Sequence, residues 1–83
     1  MSKAQKLVNR ALDVLLRRKQ NHLNDQKALA EIRALIDRTE DDGVGSASEK
    51  VKLARKTMQQ HHDFVLNDPQ AVAELRVVFG AED

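Results

Sequence analysis

The stretch RRKQNHLNDQK, residues 17–27, decides the architecture. Before it, Leu7, Val8, Ala11, Leu12, Leu15 and Leu16 recur at three- and four-residue steps; after it, Ala28, Leu29, Ile32, Leu35 and Ile36 do the same. Both are amphipathic helical patterns. Inside the stretch Leu23 is the sole large apolar residue. Asn and Asp are weak helix formers and good caps, so one reading breaks the chain near residues 21–25. The other runs a single helix over about residues 2–38, with Ser2 as its N-cap. Phase favours the single helix. Val8, Leu15, His22, Leu29 and Ile36 are seven apart throughout, with Ala4, Ala11 and Ile32 on companion positions, a coiled-coil-like register that an inserted loop has no reason to keep. Such a helix is about 55 Å long and, with a polar middle, needs a partner along its length.

Downstream, TEDDGVGSA (residues 39–47) is acidic, holds two glycines and has no periodicity, so it reads as a loop. Ser46 and Glu49 have the spacing of a capping box for a helix over about residues 47–66, whose stripe is Val51, Ala54, Met58, His61 and Val65. Asn67-Asp68-Pro69 then punctuates, with Asp68 as cap, and a last helix spans about residues 69–79 with Val72, Leu75, Val78 and Phe79. Gly80 is its natural stop, and Glu82 and Asp83 are expected to fray. The expectation is an all-α single domain: a long antiparallel hairpin pairing Ile36 with Val51, Leu29 with Met58 and His22 with Val65, plus a short third C-terminal helix.

Composition agrees with helices. The only aromatics are Phe64 and Phe79, and one Pro with three Gly leaves little punctuation for a many-stranded fold. At 83 residues the chain buries only about 60–65% of its unfolded surface. Surplus apolar surface is therefore expected along Val8, Leu15, Leu29, Ile32, Ile36, Val51, Met58, Val65, Leu75 and Phe79. Self-association or docking on a larger protein would cover it.

Cysteine is absent, which excludes disulfides and thiolate metal sites. No run approaches the ~20 apolar residues of a membrane span, and no export signal is evident, so a cytoplasmic setting without membrane partners is expected. The net charge of +1 hides a split. Residues 1–27 carry seven basic groups against Asp13 and Asp25, or +5; the remainder carries seven against eleven acids, or −4. Lys3, Lys6, Arg10, Arg17, Arg18 and Lys19 make a nucleic-acid face the second reading, although soluble amphipathic helices carry charge at the same positions.

His22 and Asp25 lie near His61 and His62 in the long-hairpin register, the ingredients of a weak metal site or pH sensor. Adjacent histidines on a helix point about 100° apart, however, and a polar layer fixing register is the more ordinary reading. There is no cysteine nucleophile, no Gly-rich phosphate loop and no H-E-x-x-H pattern, so neither enzyme chemistry nor a cofactor is expected. The leading expectation is a non-enzymatic interaction module. Phage-encoded modulators and bacterial adaptors are common among chains of this kind, and no residue chooses between them.

Overall fold

The computed structural model describes residues 3–39 and 45–81. Its elements are four helices: α1 (Lys3–Lys19), α2 (Asp25–Asp37), α3 (Ser46–His62) and α4 (Asp68–Phe79), with no strand among the described residues. The all-α expectation is met, but the first helix is two. α1 ends where Asn21 takes a left-handed conformation (φ 65°). There the His22 N–H reaches the Arg17 carbonyl (2.9 Å) and the Asn21 N–H reaches the Arg18 carbonyl (3.0 Å), a Schellman closure. Three residues on, the Asn24 side chain accepts from the Lys27 N–H (2.8 Å) and opens α2. The sevenfold phase ran through His22, a polar residue that is exposed here. Each helix kept its own period because both face one core.

The second half repeats the device. α3 closes with Phe64 left-handed (φ 62°), the Val65 N–H on the Gln60 carbonyl (2.9 Å) and the Phe64 N–H on the His61 carbonyl (3.2 Å). Asn67, rather than Asp68, caps α4 in a full capping box with Gln70, and Pro69 sits harmlessly in the first turn. α3 therefore stops at His62, short of residue 66. Ser46 makes no capping box with Glu49; Gly45 is the N-cap and offers no side chain. Gly80 (φ 74°) ends α4 as expected. Most of the acidic loop, together with Ser2, Glu82 and Asp83, lies outside the described residues.

The two helical hairpins are one motif used twice. A shift of 43 residues (46 minus 3, 68 minus 25) carries α1 onto α3 and α2 onto α4. Ten pairs of positions are identical, among them the run Leu23-Asn24-Asp25 with Leu66-Asn67-Asp68 and the pairs Ala28/Ala71, Ala30/Ala73, Glu31/Glu74 and Arg33/Arg76. Burial follows the same shift: Val8/Val51, Ala11/Ala54, Leu15/Met58, Leu29/Val72, Ile32/Leu75 and Ile36/Phe79 are all core pairs. α1 packs on α2 and α3 on α4; the hairpins then join through α1 against α3 and α2 against α4, each helix meeting its own counterpart. The tandem copies thus associate as the two halves of a symmetric dimer do. This arrangement replaces the expected long hairpin with its short third helix.

Two outcomes follow for stability. Ile32→Ala and Leu75→Ala, at equivalent wholly buried positions, should each cost about 3 kcal/mol in denaturant unfolding. Phe64→Gly should instead stabilise by about 1 kcal/mol, since a side chain in the left-handed region is strained and this ring is 93% exposed. A loss of stability at position 64 would show that the ring supports the fold.

Candidate docking surface

The stripe expected to face a partner faces inward. Val8, Leu15, Leu29, Ile32, Ile36, Val51, Met58, Leu75 and Phe79 form this chain's own core, and of the expected set only Val65 lies outside, 64% exposed. Splitting the long helix folds the stripe back on itself, so four short helices close around residues that one hairpin would leave open.

The histidines do not converge. Among the described residues no three His, Asp or Glu side chains gather into a metal-holding group. His22 and His62 are exposed, and Asp25 is taken by the Arg18 guanidinium. His61 Nε2 meets Asp68 Oδ1 at 2.6 Å, while its Nδ1 lies 3.4 Å from Arg33 Nη2, which also points at the Met58 carbonyl (3.4 Å). A guanidinium only donates, so the tautomer that fits both contacts has Nδ1 accepting and Nε2–H donating. The shift of 43 explains the pair: Arg18–Asp25 and His61–Asp68 occupy equivalent positions. Each clasps the last turn of one helix to the first residue of the next. The cleft of about 320 Å³ beside His61 is lined by Arg33, Asp37 and Asp68 together with Leu29, Ala30 and Ala34.

The basic set is divided. Arg17 lies 3.3 Å from Asp13 and 3.7 Å from Glu31, and Arg18 holds Asp25. Lys3, Lys6, Arg10 and Lys19 stand exposed on α1. The two arginines at the heart of the expected phosphate-binding run thus already face carboxylates, which lowers the positive potential there.

Beside Val65, which the expected set contained, sequence reasoning missed four outward apolar residues, Leu16, Leu53, Phe64 and Val77, with Phe64 and Val77 the most exposed of the five at 93% and 80%. The repeat is the signal that finds them. At the shifted positions the other hairpin carries Gln59, Arg10, Asn21, His22 and Ala34, so every one of the five sits opposite a polar or smaller residue in the same structural setting. Two depressions flank α4. Leu53, Val65, Leu66 and Val78 line one against α3, beside Lys56 and Glu74. The other runs between α1 and α4 as two adjoining hollows of about 170 and 480 Å³ that share Arg76 and Ala81. No described helix is long and apolar enough to cross a membrane.

His61→Arg, which installs the clasp of the other hairpin, should unfold within about 0.5 kcal/mol of the parent, whereas His61→Ala should cost about 1 kcal/mol. Equal losses from both in urea titrations would show that His61 is needed for more than the clasp. Compared with known proteins, the chain matches no family model, no curated protein and no solved structure.

Proposed function

We propose that the chain is a non-enzymatic protein–protein interaction module that docks through apolar residues on and beside its second hairpin. One observation carries this reading. The fold occurs twice in the chain, and the first hairpin builds it without large apolar residues at the positions of Leu53, Phe64, Val65 and Val77. Packing therefore does not require them, and exposing them costs solubility. Phe64 adds backbone strain to that cost at a position where the first hairpin uses Asn21, a residue that tolerates the left-handed region better. Strain kept at an exposed aromatic residue supports a role in contact with another molecule. His61, the histidine most engaged in polar contacts, is accounted for as a clasp, which favours a binding role over chemistry.

The test is a repeat-exchanged variant carrying Leu16→Gln, Leu53→Arg, Phe64→Asn, Val65→His and Val77→Ala. It should fold with stability equal to or above the parent's, because each residue is already proven in the same fold. In size-exclusion light scattering and cross-linking capture it should lose the associations that the parent forms. Retention of the same associations would contradict a docking role for these residues.

A further inference from the structure

Of the two depressions beside α4, the one against α3 has an internal control in the first hairpin. There the same face is closed by charge: the Arg17 guanidinium lies across it, 3.3 Å from Asp13 on α1 and 3.7 Å from Glu31 on α2. In the second hairpin Lys56 stands in place of Asp13, Gln60 in place of Arg17 and Glu74 in place of Glu31. A neutral amide thus replaces the bridging guanidinium, and a depression of about 420 Å³ remains between the helices. Its apolar surface comes from Leu53, Val65, Leu66 and Val78. Leu53 and Val65 take the places of Arg10 and His22. Lys56 and Glu74 are both exposed on its walls, and neither side chain pairs with any described residue. One scaffold therefore has a face whose charges are joined to one another, and a second whose apolar floor lies between an unpaired cation and an unpaired anion.

We propose that the α3–α4 groove is the interface of a symmetric dimer, in which a second copy of this chain docks face to face through the same groove. The inference rests on the docking function above and names its site and occupant. Lys56 belongs to the α3 wall and Glu74 to the α4 wall. Their counterparts Asp13 and Glu31 lie within reach of one guanidinium, so the two stand opposite each other across the groove. A twofold axis running along the groove exchanges its walls. It brings Lys56 against the partner's Glu74, forms the same pair a second time, and covers the apolar floors of both copies between them. A patch with one unpaired charge of each sign is complementary to its own rotated image. Apolar burial supplies most of the affinity, while the exposed ion pairs fix orientation. The first hairpin lacks such a face, so the assembly closes at two copies and does not extend into a filament.

The test is sedimentation equilibrium of the full-length chain from micromolar to millimolar concentration. The parent should pass from the mass of one chain to that of two, with nothing larger. Leu53→Arg with Val65→His, the first hairpin's own residues, should keep the parent's helical circular dichroism and weaken the dimer by about tenfold or more. Lys56→Glu and Glu74→Lys should each weaken it about tenfold, because each sets like charges opposite one another at both ends of the interface. Combining the two changes in one chain should restore the dimer, since the pair forms again with its signs reversed. Mixing the two single variants should likewise give a heterodimer tighter than either variant with itself. A chain that stays monomeric throughout overturns the proposal. So does a dimer indifferent to the charge changes, or one that the combined change does not restore. If Leu16→Gln with Val77→Ala dissociates the dimer and Leu53→Arg with Val65→His does not, the docking module stands and the groove assignment fails. The same holds if the chain is monomeric and cross-links to a different protein only while Leu53 and Val65 are present. If the repeat-exchanged variant keeps every association of the parent, both readings fail together.

Discussion

The helix-to-helix turn is the constraint on which the structure depends. In each half the chain leaves a helix through one left-handed residue, spends two residues in the open, and enters the next helix at an asparagine cap. The turn satisfies carbonyls at one helix end and amides at the next, groups that would otherwise go unpaired. A donor on the last turn, Arg18 or His61, and the aspartate after the cap then close the outside of the corner. Because the corner is the same twice, the hairpins have the same shape and the same inner face. That is what lets α1 meet α3 and α2 meet α4 with Val8, Val51, Ile32 and Leu75 at matched depth.

Much of this was legible in the residues. Helix content, the stop at Gly80 and the punctuation at residues 67–69 all came from side-chain chemistry read locally. The break at residues 20–24 was misjudged because heptad spacing was weighed above the capping signals of Asn21 and Asn24. Spacing across a turn is set by chance once each flanking helix has its own period. The same motif, Leu-Asn-Asp followed by an alanine-rich helix, stood in the sequence twice, and comparing the chain with itself would have decided the matter. The inward fate of Leu29, Met58 and Phe79 was not legible: a stripe reads the same whether a second chain or the chain's own neighbouring helix covers it.

The repeat also separates what the fold needs from what it merely permits. Core pairs have been kept apolar or small, and the caps and clasps have kept their roles through changes such as Arg18 for His61. Outside, the halves differ mostly in one direction, with Leu16 against Gln59 the exception. The first hairpin carries Arg10, Asn21 and His22 where the second carries Leu53, Phe64 and Val65, and α2 shows Ala34 where α4 shows Val77. A molecule with an approximately twofold interior thus has a one-sided exterior.

Joining the halves through equivalent helices has a thermodynamic consequence. A hairpin of this size has too little core to persist by itself, so each half is folded largely because the other is. Unfolding is then expected to be a single cooperative step, with no state in which α1 and α2 survive the loss of α3 and α4. Any molecule held by α4 draws its binding free energy against that one equilibrium and so stabilises α2 on the opposite side as much as the helix it touches. In so small a protein, occupancy and foldedness become two readings of the same quantity.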